Sequence, residues 1–219
     1  MDSFTGGRSI TRYKVVRSDK GAKPATINRE LAMLSKAFNL AIREWEWLRD
    51  NPVSKVPFEK ENNKRKRWLS LEEERRFFEH SPDWLSEIVS FALNTGLRQD
   101  ELLSLEMSRV SLVRKTIHIQ NTKSGRPRTI PLNRFALGVL KNKLEEKVIN
   151  IKDLVFVSSK GSKVDPSNLR REFYKVLKEA GIENFRFHDL RHTFATRLAQ
   201  KGIDIYKIAK LLGPMKTSG

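Results

Sequence analysis

The chain has 219 residues, 38% hydrophobic and 32% charged, enough for one large or two modest folded domains. Its net charge of +17 points to a polyanionic partner, nucleic acid before any other, and no apolar run of about 18 residues argues for a membrane span. Cysteine is absent, which excludes disulfides, thiolate zinc sites and cysteine nucleophiles, and no grouping of the four histidines with Asp or Glu looks like a metal site.

Residues 1–23 are polar and basic and read as a weakly structured lead-in. A helix is predicted from about Pro24 to Arg49, because Ile27, Leu31, Leu34, Phe38, Ala41, Ile42 and Trp45 recur every three or four residues. Asn51-Pro52 ends it. Such a stripe needs a partner helix, either from residues 8–20 or from another chain. Residues 53–67 have no period and end in Lys64-Arg65-Lys66-Arg67, which reads as an interdomain linker able to lie along a duplex. The expected domains are therefore 1–58 and 59–219. The first carries 11 basic and 6 acidic residues, +5, and the second 32 and 20, +12, so both suit a polyanion.

Beyond the linker, Ser70-Leu71-Glu72-Glu73 is a capping box that opens a helix running to about His80. A second helix spans about Pro82 to Asn94, with Leu85, Ile88, Val89, Ala92 and Leu93 on one face and Gly96 at its C-terminal cap. A third begins near Leu97 or Arg98 and runs to about Leu105. The period then changes: Thr116–Gln120 alternates, and Arg128–Leu132 follows a Ser-Gly-Arg-Pro turn, a short β-hairpin. Residues 134–149 read as helix and Leu154–Val157 as a short strand or core segment. Asp165-Pro166 starts a helix closed by Gly181. In the next helix Leu190, Phe194 and Leu198 form an apolar stripe, and a last helix runs from Asp204 to Leu212. The fold class is mainly α with a small antiparallel sheet, α+β.

Four cationic positions stand out. His188 and Arg191 lie three apart on one helix face, an arrangement suited to an oxyanion, although an isolated His-x-x-Arg is usually a solvated surface pair. Arg98 falls in the first turn of a helix, where the macrodipole disfavours a cation unless an anion also binds, and Glu101 stands three residues on. Lys123 sits on the hairpin turn between strands, flanked by Arg126 and Arg128, and a solvated turn or a phosphate contact both fit that run.

Taken in order, these residues resemble the tyrosine recombinases, or phage-type integrases. The resemblance rests on Thr-Gly-Leu-Arg-x-x-Glu-Leu at 95–102, Thr-Lys-Ser-Gly and Ile-Pro-Leu within 122–132, His-Asp-Leu-Arg-His-Thr-Phe-Ala-Thr at 188–196 and Leu-Leu-Gly at 211–213. Pro24–Leu31 and the stretch from Glu44-Trp45 to Asn51-Pro52 look like the last part of that family's core-binding domain.

The resemblance implies a tyrosine-recombinase catalytic fold preceded by a partial helical core-binding domain. It also implies a cytoplasmic, nucleoid-associated protein that needs neither metal nor cofactor and acts on double-stranded DNA by transesterification. Arg98 and Arg191 would hold the non-bridging oxygens of the scissile phosphate, with Glu101 orienting Arg98. Lys123 would be the general acid toward the departing 5′ oxygen, and His188 would assist proton transfer. Arg126, Arg128 and the Lys64, Arg65, Lys66, Arg67 run would contact the DNA backbone. A tyrosine would form a 3′-phosphotyrosyl link.

Two positions depart from the family pattern. Pro214 follows Leu-Leu-Gly where the family usually has histidine, and no tyrosine follows Tyr206, which reads as a helix-packing residue. The chain thus reads as a DNA-binding fragment, without a nucleophile and monomeric where family members form tetramers. A catalytically silent DNA-binding relative is the second reading. A type IB topoisomerase is a third, disfavoured by the short hairpin and the His-Asp-Leu-Arg-His-Thr run.

Overall fold

The computed structural model describes residues 7–61, 67–120, 127–145 and 153–213. The chain divides into two compact units, Met1–Arg65 and Lys66–Gly219.

In the first unit the lead-in is not weakly structured: helix α1 spans Gly7–Asp19. It supplies the partner that the apolar stripe of α2, Pro24–Arg43, requires. Ile10 of α1 joins Ile27 and Leu31 of α2, with Val53 and Val56 from the segment beyond, in one small core. The α1 pattern escapes a periodicity reading because Ile10 is its one buried residue. Polar bonds do the rest of the joining. Both oxygens of the Glu30 carboxylate accept from Arg17, at 2.9 and 2.6 Å, and Oε2 also accepts from the Tyr13 hydroxyl at 3.0 Å. Helix α2 stops at Arg43 rather than Arg49. Glu46 takes a left-handed φ of 54°, and the Trp47 amide folds back onto the Ala41 carbonyl, which turns the chain before Trp45 can extend the stripe. Asn51 then caps a 3₁₀ turn over Pro52–Lys55.

The second unit opens with α3, Leu71–His80, entered through the complete capping box of Ser70 and Glu73. Helices α4, Asp83–Thr95, and α5, Gln99–Leu103, follow. The hairpin strands β2, Thr116–Ile119, and β3, Arg128–Pro131, pair antiparallel in the register Ile117↔Ile130 and Ile119↔Arg128. A two-residue strand β1, Val110–Ser111, adds to β2 and makes a three-stranded sheet in the order β1-β2-β3. Two residues are too few for alternation to register in a sequence. Leu154–Val157 forms no strand. It contributes isolated bridges, Glu106↔Leu154 and Val157↔Lys163, and sends Val155 and Phe156 into the core.

Helix α6 spans Arg134–Glu145, α7 spans Pro166–Glu179 behind its Asp165 cap, α8 spans Asp189–Gln200 and α9 spans Ile205–Leu212. One core joins these elements, built around the fully buried Phe77, Phe91 and Phe173. Phe173 meets Phe77 at 5.4 Å and Phe187 at 5.3 Å between ring centroids, so α7 braces both α3 and the turn into α8. Among the described residues no helix is long and apolar enough to cross a membrane.

Candidate phosphate site

Three helices converge on Gly96. It ends α4 in a left-handed conformation, φ 64°, and a Cβ there would stand 2.4 Å from Phe194 of α8 and 2.7 Å from Leu212 of α9. Only glycine meets both demands. The residue that lets α8 and α9 approach thus sits two positions before Arg98.

Arg98 is the N-cap residue of α5, and Glu101 closes the turn beneath it: Oε2 accepts from the Arg98 amide at 2.9 Å, and Oε1 accepts from Nη1 of the same arginine at 3.1 Å. Glu101 is itself buried. Burial alone would raise its pKa, but hydrogen bonds from Arg128 and from the Arg98 amide outweigh that, and the carboxyl is held below its ordinary range.

Arg191 enters from the first turn of α8. It is 5% exposed, with Nη1 donating to the Gly96 carbonyl at 2.7 Å and Nη2 donating to the Leu212 carbonyl. Both acceptors are neutral. Desolvation, reinforced by the nearby charges of Arg98 and Arg128 and only partly opposed by Glu101, pushes its pKa down to about 10, so it stays protonated at neutral pH without a carboxylate bonded to it among the described residues.

His188 is the N-cap residue of α8, exposed at its edge, with its ring 5.3 Å from that of His192 in an edge-to-face contact. Partial desolvation, then the charges of His192 and Arg191, lower its pKa, against an opposing pull from Asp189. Asp189, fully inside, accepts from the Arg186 amide at 2.8 Å and so shapes the turn that presents His188. Thr193 lies one turn on. Its hydroxyl donates to the Asp189 carbonyl at 2.8 Å and accepts from the Leu69 amide at 2.9 Å, tying the start of the unit to this helix.

Arg98, Glu101, His188 and Arg191 are thus brought together, while several other expected site residues behave differently. Arg128, expected to contact the DNA backbone, does not stand on the surface. It is 8% exposed, gives Nη1 and Nη2 to the two Glu101 oxygens at 3.0 and 2.6 Å, and gives Nε to the Leu211 carbonyl at 2.9 Å. The hairpin alternation contained this information: Ile130 points inward, so Arg128, two residues earlier, must as well.

Arg67 is likewise engaged rather than lying along a linker. It forks onto both Glu73 oxygens at 2.9 and 2.5 Å and stacks 5.3 Å from the Phe185 ring centroid. Tyr206 is not a packing residue; it is 82% exposed in the first turn of α9. Lys123, Arg126, Lys64, Arg65 and Lys66 lie outside the described residues. A separate cavity of about 950 Å³ between the hairpin and α9 is lined by His118, Arg128, Lys207 and Lys210, but not by Arg98, His188 or Arg191.

The sequence profile of the phage integrase family matches residues 67–216, and that of the phage integrase N-terminal domain matches residues 2–59. The integrase of Salmonella phage P22 is 37% identical over 207 residues, covering 89% of this chain and 52% of that protein. A shufflon-specific DNA recombinase of Escherichia coli is 33% identical over 224 residues, covering 97% and 56%. The chain spans about half the length of these relatives. Among solved structures, a lambda integrase dimer bound to a COC′ core site matches with a TM-score of 0.78 at 25% identity, covering 97% of this chain and 62% of that one. The Tn1549 transposon integrase in complex with circular intermediate DNA matches with a TM-score of 0.80 at 20% identity, over 97% and 78%, which speaks for the fold alone.

Proposed function

Because the chain belongs to the phage integrase family, we propose that its second unit grips one phosphate of double-stranded DNA in site-specific recombination or integration. The observation that carries this reading is Arg191, a buried guanidinium whose hydrogen bonds, among the described residues, go to two carbonyls, and on which the repulsion of Arg98 and Arg128 outweighs the attraction of Glu101. A buried cation with no directly bonded anion is costly, and a bound phosphate would offset that cost. The similarity to a shufflon-specific DNA recombinase, and to lambda integrase bound to a core site, supports the same choice of ligand.

In this proposal Arg98 and Arg191 hold the non-bridging oxygens, and His188, neutral at pH 7, bonds the phosphate or passes a proton. Attack by a tyrosine hydroxyl, which gives its proton to neutral His188, would form the phosphotyrosyl O–P bond and break the bond to the 5′ oxygen, which takes its proton from Lys123. Guanidinium charge would offset the negative charge developing on the non-bridging oxygens. The first unit would act as a helical core-binding domain against the same duplex. Assembly into a tetramer on DNA, as lambda integrase forms on a Holliday junction, is part of the proposal for the complete reaction.

None of the three tyrosines suits the attack. Tyr13 is bonded to Glu30 in the first unit, Tyr174 packs its edge on Phe173, and Tyr206 starts α9 while Arg128 and Arg191 grip its last two carbonyls. Those positions are five residues apart on α9, about 7.5 Å along its axis. This chain alone is accordingly proposed to bind the phosphate without cutting the strand. A nicked suicide duplex tests both halves. Saturable retention that weakens with Arg191→Ala supports the phosphate reading, and retention indifferent to that change overturns it. A covalent protein–DNA adduct on a denaturing gel would overturn the claim that the chain does not cleave.

A further inference from the structure

We propose that Arg128 is a positioning residue of the phosphate site: it holds the Glu101 carboxylate so that Glu101 orients Arg98 without cancelling the positive charge offered to the phosphate. The inference rests on the phosphate reading above and concerns a residue that would not itself touch DNA.

The geometry is that of a saturated carboxylate. Each Glu101 oxygen accepts one bond from Arg98 and one from Arg128, at 2.9 and 2.6 Å on Oε2 and at 3.1 and 3.0 Å on Oε1. Four donors meet the four lone-pair positions of the group. Only one of the four comes from the Arg98 guanidinium. Arg128 contributes a complete fork, and both its side chain and that of Glu101 are 6% exposed, so solvent screens this pair little.

Charge follows from the count. Among the described residues, Arg98, Arg128 and Arg191 against Glu101 sum to +2, whereas without Arg128 the same groups sum to +1. A phosphodiester carries one negative charge, and a second develops as an oxyanion attacks it. Among the described residues, Arg128 thus raises the positive excess set against the charge that builds on the attacked phosphate. Removing Arg128 would also leave a buried carboxylate with, among the described residues, Arg98 as its ion-pair partner, and the guanidinium would be drawn further onto it.

Arg128 has a second attachment. Its Nε donates to the Leu211 carbonyl, and Arg191 donates to the next carbonyl, Leu212. The C-terminal end of α9, where unpaired carbonyls and the helix dipole favour cations, is thus fastened to β3 and to α8 by two arginines of one cluster. Glu101, Arg98 and the end of α9 are held in one register by a single side chain from the sheet.

The test is a cycle read by equilibrium binding of the full chain to a duplex, with thermal melting alongside. Arg128→Met should weaken binding by about tenfold or more, because Glu101 then competes with the phosphate for Arg98. Adding Glu101→Gln to that variant should return affinity to within about threefold of the parent, since the competing charge is gone. Arg75→Met, at a 65% exposed surface side chain, controls for loss of one positive charge. A double variant that binds as weakly as Arg128→Met, with both folded, would overturn the proposal and leave Arg128 a structural tie.

Should Arg128→Met fail to fold, Arg128→Lys decides instead. It retains the charge but not the fork, so affinity should fall by less than about tenfold; a folded Arg128→Lys that loses tenfold or more overturns the idea. Failure of the underlying phosphate reading is distinct, because it would appear as an Arg191→Ala variant that binds as the parent does.

Discussion

Arg191 sets function against stability within one side chain. Its guanidinium is buried on carbonyls with two other arginines nearby, so Arg191→Met, which keeps the packed stem, is expected to leave the melting temperature unchanged or raise it. The same variant should lose DNA affinity and lower the salt dependence of binding by about one phosphate contact. Melting and a salt titration on one preparation check both halves. His188 gives a second prediction. Its folded pKa lies below 6.5, so the ring is neutral at pH 7 and gains charge only in more acidic buffer. Duplex affinity should therefore rise as pH falls below that value, and His188→Gln should remove the rise. The unfolded histidine takes up its proton first, at about 6.5, so this group subtracts stability over the same acid range.

Elements transmit these constraints, and Gly96 is where they meet. Gly96→Ala forces a Cβ against Phe194 and Leu212 in a left-handed backbone, and should cost on the order of 3 kcal/mol or more by chemical denaturation. The start of α3 supplies a pH-dependent counterpart. Hydrogen bonds from Arg67 hold the Glu73 carboxyl at about 2, against an ordinary value of 4.5. Its contribution is present above 4.5 and is lost as pH falls toward 2. Glu73→Gln should accordingly reduce stability by on the order of 1–3 kcal/mol at pH 7 and by little at pH 2.

Legibility in the sequence tracked how much of each element's pattern is local. The capping box at Ser70, the Asp165 cap and the β2–β3 hairpin could be read directly, because each is a short-range signal. Helix α1 could not, since one buried isoleucine makes no stripe and its bonds to Glu30 span 13 and 17 residues. Arg98, Glu101, His188 and Arg191 were identifiable as site candidates from their motifs. The inward course of Arg128 was visible in the strand alternation, but its reason, a buried carboxylate 27 residues earlier, was not. The exposure of Tyr206 depends on which face of α9 meets the core, and an eight-residue helix beginning Ile-Tyr-Lys leaves that open.

For the whole molecule, a formal charge of +17 predicts that binding to duplex DNA of any sequence weakens steeply with added salt. A flat response in a fluorescence titration between low and physiological salt would assign that charge another purpose. The link from Thr193 to Leu69 carries a consequence for solution dynamics. Leu69 is 1% exposed and its amide is held by the hydroxyl of a residue 124 positions away in sequence, on the helix that presents His188 and Arg191. Exchange of that amide with deuterium requires α8 to part from the start of α3, so its protection factor reports the opening of the phosphate-gripping helix. A ligand seated on Arg191 holds that helix in place, and phosphate-bearing duplex should slow exchange at Leu69, a position it never reaches.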